Sequence, residues 1–219
     1  MEQTPAQAAR IQRRWPLISG GVAFLLGAGL GAVLLIRGNS PFEADAEWMD
    51  EILEHRSAVW DVPSYVLNYV GTGWLATTIS VALVAFLFFV LKRRWTALYA
   101  LIAIALSAAI VQALKIAFGR QRPEDILLPL DNGSFPSGHV ANAATLMTVL
   151  AVVTWRIWVA ALGAVYVVLM AVSRTYLGAH WVTDTIGGLL IGAGIAIIIW
   201  APLARRMQTE RDRVASPDS

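Results

Sequence analysis

The chain has 219 residues, of which 57% are hydrophobic and 15% are charged, and its mean hydropathy is +0.60. This composition is too apolar for a soluble domain of that length and is typical of a polytopic membrane protein. A net charge of +2 argues against a nucleic-acid partner, and the lack of cysteine excludes disulfides, thiolate metal sites and a cysteine nucleophile.

Six apolar stretches are each long enough to cross a hydrocarbon core of about 30 Å at about 1.5 Å per residue. They lie at residues 17–36, 66–91, 96–115, 138–155, 157–173 and 184–203. We therefore expect an all-α fold, a six-transmembrane-helix bundle. Its membrane domain would span residues 15–206, between polar tails at residues 1–14 and 207–219.

The first stretch has an alternative interpretation as a secretory signal peptide. Arg10, Arg13 and Arg14 precede it, and Ala44-Asp45-Ala46 resembles a cleavage site. The apolar core is too long for a signal peptide, and the cleavage-like motif lies too far downstream. We expect a helix that is retained.

Positive charge is unevenly divided between the two sides of the predicted bundle. Eleven of the seventeen Lys and Arg residues fall on one side: Arg10, Arg13, Arg14, Lys92, Arg93, Arg94, Arg156, Arg205, Arg206, Arg211 and Arg213. By the positive-inside rule that side, with both termini, is cytoplasmic. The acidic loop at 37–65 would then be external, as would three polar clusters at the ends of the later helices.

The first cluster contains Lys115 and Arg122 and the third contains Arg174, so both supply cations. Lys115 and Arg122 are separated by the end of a predicted helix, Pro123 stops its continuation, and Arg174 ends the fifth stretch. A guanidinium can grip two phosphate oxygens, while lysine offers a compact charge. A single lysine or arginine at a helix end is most simply explained as an anchor whose charged tip reaches the membrane surface. Several cations that converge on one place instead predict a phosphate site.

The second cluster, Pro136-Ser137-Gly138-His139, precedes an apolar run. Ser137 is a plausible N-cap, and the free N–H groups of a helix start bind anions readily. Gly138 would let a phosphate approach closely, and the Ser137 hydroxyl could donate to it. Simple capping would also explain Ser137 and Gly138, but it does not require the imidazole of His139.

His180 and Asp184 are four residues apart, so on a helix they would share one face. A carboxylate that orients Nδ1–H leaves Nε2 as a nucleophile for phosphorus. His139 would then donate a proton to the leaving oxygen. A structural His–Asp pair is the alternative.

We expect neither a metal nor a cofactor. The sequence has no His-Glu-x-x-His pattern, and the three cations would repel a divalent ion. His55 stands alone in the acidic loop and is expected to be solvent-exposed.

These residues resemble the three-part signature of the type-2 phosphatidic acid phosphatases, or lipid phosphate phosphatases. Its parts are Lys, six residues, Arg-Pro; Pro-Ser-Gly-His; and Ser-Arg, five residues, His, three residues, Asp, and all are intact between residues 115 and 184. The resemblance implies a phosphohistidine mechanism with His180 as nucleophile, Asp184 as its partner and His139 as acid. It also implies that the phosphate is held by Lys115, Arg122, Ser137, Gly138 and Arg174.

The chain looks most similar to small bacterial members that act at the outer leaflet on undecaprenyl diphosphate, phosphatidylglycerophosphate or phosphatidate. Undecaprenyl diphosphate is the first substrate expectation, by family analogy. The expected partners are this lipid phosphate or polyprenyl diphosphate and membrane lipid, with the protein a monomer or weak homodimer. A phospholipid transporter or flippase that does not hydrolyse its lipid is the alternative from another class.

Two weaker features concern packing. Gly27 with Gly31, and Gly188 with Gly192, are four apart and would let helices approach closely, within the chain or in a homodimer. The apolar segment at residues 126–130 could dip into the interface and guide a lipid tail, or simply pack on other outer residues.

Overall fold

The computed structural model of the chain describes residues 5–129 and 133–215, and all regular structure in those ranges is helical. The expectation of an all-α fold is therefore confirmed. The helices are α1 (Pro5–Ile36), α2 (Glu43–Glu54), α3 (Ala58–Val70), α4 (Gly73–Ala85), α5 (Arg94–Phe118), α6 (Gly138–Thr154), α7 (Ile157–Tyr176) and α8 (Val182–Ala215).

Within the described residues, five helical segments are long and apolar enough to cross a membrane. They are Arg14–Ile36, Gly73–Val90, Arg94–Phe118, Ile157–Tyr176 and Val182–Arg213. The predicted stretch at 138–155, the fourth of the six, forms α6, an apolar helix of 17 residues that is shorter than those five segments. The multi-pass helical membrane fold predicted from hydropathy is thus present.

The two terminal helices run beyond their predicted ends. α1 already begins at Pro5, and α8 continues to Ala215, so both extend into the segments predicted as polar tails. Residues 1–4 and 216–219 of those tails lie outside the described residues. In α8 the extension is tied down, because the Glu210 carboxylate accepts hydrogen bonds from the backbone N–H groups of Trp95 and Thr96 at 2.6 and 3.0 Å.

The region at 37–65, predicted as an acidic loop, instead contains α2 and most of α3. The predicted helix at 66–91 is also divided, because α3 ends at Val70 and α4 starts at Gly73, continuing as a π-helical turn over Phe86–Val90. At the break the ring of His139 packs against Gly71. A Cβ at Gly71 would lie 2.5 Å from Cδ2 of His139, so this contact requires a residue without a side chain.

The centre of the bundle is α8, which packs against α1, α5 and α6. Glycines permit this packing, because a Cβ on Gly27 would lie 2.8 Å from Cγ1 of Ile191, and one on Gly188 would lie 2.6 Å from the backbone oxygen of Ser137. The expected close helix approach therefore occurs within one chain. It brings the starts of α6 and α8 together, and these carry the predicted site.

Candidate active site

Three cations meet at the end of the bundle where α5 and α7 finish. Lys115 lies in the last turn of α5, and its ammonium donates to the backbone oxygens of Gly133 and Ser134 at 2.7 and 3.3 Å. Arg122 follows in the loop and donates to the backbone oxygens of Ala179 and, at 3.3 Å, Gly133. Arg174 is in the last turn of α7 and is fully buried. The charges of all three act on His180.

Two of the predicted phosphate-binding residues have buried donors without a partner. Ser137 occupies the N-cap of α6, yet its hydroxyl makes no capping hydrogen bond and is buried without a partner. Nε and Nη2 of Arg174 are also buried without a partner. Because buried polar groups are normally hydrogen-bonded, these donors are available to an anion of the kind that the sequence predicts. Capping alone therefore does not account for Ser137.

Gly138 begins α6 beside the lysine. A Cβ built there would lie 3.8 Å from Cε of Lys115 and 3.9 Å from Cγ1 of Val111, which are ordinary contacts. The protein itself therefore leaves room for a side chain at this position. A requirement for glycine must come from whatever approaches the helix start, as expected for an anion held by backbone N–H groups.

His180 lies between α7 and α8 and is 2% exposed. Its Nδ1 faces Oδ2 of Asp184 at 3.5 Å, and its Nε2 lies 3.4 Å from Nη1 of Arg122. A guanidinium can only donate, so Nε2 must carry the lone pair and Nδ1 the proton. This is the tautomer that a nucleophilic Nε2 requires.

The pKa of His180 is lowered well below its ordinary value of 6.5. The largest cause is burial, which penalises the charged ring, and the charges of Lys115 and Arg174 add to the effect. The imidazole is consequently neutral at pH 7. The lone pair needed for attack is present before substrate binds.

His139 lies in the first turn of α6, on the side of the α3–α4 break. Its Nε2 is 3.2 Å from the backbone oxygen of Asn68, an acceptor, so this nitrogen carries a proton. The same asparagine accepts from Nη1 of Arg174 through Oδ1 at 2.6 Å. Asn68 thus contacts both His139, the predicted acid, and Arg174, one of the predicted phosphate-binding cations.

Asp184 is fixed by a buried ion-pair network that reaches α2. Its Oδ1 accepts from Nη1 of Arg120 at 2.6 Å, and Nη2 of Arg120 donates to Oδ2 of Asp45 at 2.9 Å. Both oxygens of Asp45 are also bonded to Thr183, at 2.9 Å to its backbone N–H and 2.7 Å to its hydroxyl. The carboxylates and the guanidinium are each at most 1% exposed.

The three sequence clusters therefore converge in space. The sequence interpretation missed the supporting residues Asp45, Asn68, Arg120 and Thr183. Asp45 was assigned to an exposed acidic loop, and its neighbours Glu43 and Glu47 are indeed exposed. Arg120 is not among the predicted site residues, although its position between Lys115 and Arg122 is a usable signal.

The structure also shows the position of His55 and of most of the apolar segment at 126–130. His55 is exposed, as predicted. In the segment at 126–130, the backbone N–H of Leu127 donates to the backbone oxygen of Leu177 at 3.0 Å, so this part packs on the end of α7. Leu130 lies outside the described residues, and the lipid-guiding role stays a prediction.

Comparison with known proteins shows similarity to a family of phosphatases. Residues 96–208 match the PAP2 superfamily. The chain is 30% identical over 136 residues to phosphatidylglycerophosphatase B of Bacillus subtilis (strain 168), covering 58% of this chain and 66% of that protein. It is 35% identical over 136 residues to the provisionally named undecaprenyl-diphosphatase YbjG of Escherichia coli (strain K12), covering 58% and 68%.

Solved structures share the fold. A crystal structure described as the first transmembrane PAP2-type phosphatidylglycerolphosphate phosphatase from Bacillus subtilis superposes with a TM-score of 0.71 at 24% identity, covering 83% of this chain and 94% of that one. The crystal structure of Aquifex aeolicus LpxE superposes with a TM-score of 0.63 at 30% identity, covering 72% and 95%.

Proposed function

The chain belongs to the PAP2 superfamily of phosphatases, and we propose that it removes the terminal phosphate from a membrane lipid through a phosphohistidine intermediate. One observation carries the proposal. The cluster of cations and unpartnered donors around His180 adjoins an apolar cavity of about 780 Å³ between α4, α5 and α6, and Gly138 belongs to both. A phosphate site opening onto a membrane-level apolar cavity fits a lipid phosphate.

The proposed reaction has two steps. Nε2 of His180 attacks phosphorus and the bond from phosphorus to the leaving oxygen breaks. His139, which takes up a proton when the negative phosphate lies beside it, gives that proton to the leaving oxygen. Asp184 stabilises the imidazolium side of the intermediate. His139 then accepts a proton from water, which attacks phospho-His180 and releases inorganic phosphate. Lys115, Arg122 and Arg174 neutralise the phosphoryl oxygens, joined by Ser137 and the N–H groups near Gly138.

Undecaprenyl diphosphate is the proposed substrate, with undecaprenyl phosphate as product. The likeness to a protein named undecaprenyl-diphosphatase supports this choice. Phosphatidylglycerophosphate is the nearest alternative because a relative of similar coverage carries that activity in its name, and phosphatidate follows. We further propose that the site faces the outer side with both termini cytoplasmic, as the lysine and arginine distribution indicates.

The test is phosphate release from these three lipids by the detergent-solubilised chain, with a chelator present. We expect wild type to release phosphate and His180→Ala to release none, with a ³²P-labelled intermediate trapped by alkaline quench in wild type alone. The relative kcat/KM values identify the substrate. A folded wild-type chain that releases no phosphate but moves labelled lipid between leaflets would overturn the phosphatase in favour of a transporter.

A further inference from the structure

The apolar cavity between α4, α5 and α6 reaches the phosphate site beside the proton donor. Gly71, which packs on the ring of His139, and Gly138, which adjoins Lys115, both line it. In the proposed reaction His139 protonates the leaving oxygen, so the leaving group extends into this cavity. No charged side chain is found in its described lining.

Two amides lie in the cavity wall one helical turn from the phosphate site. Gln112 is three residues before Lys115 on α5, and Asn142 is four residues after Gly138 on α6, so each shares a helix face with a site residue. Gln112 is exposed and Asn142 is half-buried where they line the cavity, and across the part of the chain that is described neither amide makes a hydrogen bond or ion pair.

The next two polar side chains along the contact between α5 and α6 are hydrogen-bonded to each other, unlike Gln112 and Asn142. Thr145 donates to Ser107 across the α5–α6 seam at 2.9 Å, and it also lies 2.8 Å from the backbone oxygen of Ala141. The hydroxyls on α4 that face the cavity are likewise satisfied, since those of Thr77 and Ser80 donate to backbone oxygens of their own helix. Gln112 and Asn142 are thus exceptions in a wall whose other polar groups are paired.

An unpaired amide at membrane depth is costly, and such residues mark binding sites more often than packing. We propose that Gln112 and Asn142 form a subsite that donates hydrogen bonds to acceptor oxygens of the leaving group, one turn below the phosphate that is cleaved. This inference rests on the proposed function, because it concerns the leaving group of that reaction.

The neutrality of the subsite defines the chemistry it can recognise. Amide N–H groups bind any hydrogen-bond acceptor. Two kinds of lipid place such oxygens next to the cleaved phosphate: a polyprenyl diphosphate through its second phosphate, and a phospholipid through its glycerol ester groups. A simple alkyl monophosphate has none beyond the bridging oxygen. The subsite therefore favours either lipid class over the alkyl compound.

The experiment compares kcat/KM for undecaprenyl diphosphate, phosphatidate and dodecyl phosphate in detergent. The variants are Gln112→Met and Asn142→Leu, which keep approximate volume and remove the donors. Thr77→Val is the matched control, since Thr77 lines the same cavity but its hydroxyl is bonded to Gly73. We expect each amide variant to lower the preference for an acceptor-bearing lipid over dodecyl phosphate about tenfold, and the control to leave that ratio unchanged.

The substrate arms separate the possible outcomes. A loss confined to undecaprenyl diphosphate assigns the subsite to the second phosphate, and a loss confined to phosphatidate assigns it to ester oxygens. Unchanged ratios in active variants overturn the subsite while the phosphatase stands. Inactivity of folded wild type toward all three compounds overturns the phosphatase, and with it the subsite. The unfolding temperatures of Gln112→Met and Asn142→Leu should equal or exceed that of wild type, because each variant replaces an unpaired amide with an apolar group.

Discussion

The Asp184 carboxylate interacts with two groups, Arg120 and His180, and Asp45 affects the balance between them because it also pairs with Arg120. Arg120 lies between the two carboxylates, at 2.9 Å from Asp45 and 2.6 Å from Asp184. If Asp45 lost its charge, Arg120 would be neutralised by Asp184 alone, and less of that charge would act on His180. A helix outside the sequence signature, α2, is therefore connected through Arg120 and Asp184 to the proposed nucleophile.

We expect Asp45→Asn to lower kcat/KM by at least about tenfold, since a broken buried ion pair is strongly destabilising to the arrangement around it. Steady-state phosphate release in detergent measures the effect. Glu47→Gln, an exposed change on the same helix, serves as the control and should retain wild-type kinetics. Wild-type kinetics in a folded Asp45→Asn protein would show that the network does not reach the reaction.

The lowered pKa of His180 makes a prediction about stability at acid pH. As pH falls below 6.5, the unfolded chain binds a proton at His180 that the folded chain does not, so folding stability decreases. This contribution amounts to about 1 kcal/mol between pH 6.5 and 5.5. His180→Gln should lack it. Thermal unfolding of both proteins at the two pH values measures the difference, and an equal loss in both would contradict the lowered pKa.

Gly138→Ala separates folding from phosphate binding. The added methyl group meets only ordinary contacts at 3.8 and 3.9 Å, so we expect the unfolding temperature to stay within a few degrees of wild type. It would stand at the helix start where the phosphate is proposed to lie, so kcat/KM should fall by about tenfold or more. Full activity in the folded variant would mean that the phosphate does not approach α6 there.

At the scale of elements, the bundle depends on glycines that bring α8 close to its neighbours. A Cβ on Gly192 would overlap the backbone oxygen of Ala141, and backbone cannot yield as a side-chain tip can. We expect Gly192→Ala to destabilise the protein by about 2 kcal/mol or more. Gly29→Ala on α1, where nothing lies within 4 Å, is the control. Comparable unfolding temperatures for the two variants would contradict this account.

The membrane helices could be predicted from hydropathy, because length and apolarity are properties of each segment by itself. The signature residues could be predicted to converge, because alternate helix ends lie on the same side of a membrane. The division of the second stretch could not be predicted from its own apolar residues, and the ring that packs on Gly71 at the break comes from His139, far along the chain. Nor could α2 be predicted, because its 12 residues carry an acidic face and its buried Asp45 is explained by two distant partners, Arg120 and Thr183.

For the whole molecule, the lack of cysteine allows a direct test of orientation. We expect a cysteine at Glu124, exposed near the phosphate site, to react with a membrane-impermeant maleimide in intact cells. A cysteine at Arg213, exposed near the end of α8, should react only after permeabilisation. The distribution of lysine and arginine is the physical reason. The reverse pattern would place the site on the cytoplasmic side.

The family match begins at residue 96, whereas Asp45 and Asn68 precede it. The proposed catalytic apparatus is therefore not contained in the segment that carries the signature, but is completed by two short helices, α2 and α3, from the first half of the chain. An exchange of N-terminal halves between relatives would therefore replace residues of the proposed site together with the first membrane helix. Such a hybrid would keep every signature residue and still lack the groups that orient Asp184, His139 and Arg174, unless the incoming half supplied a carboxylate and an asparagine at the same two places.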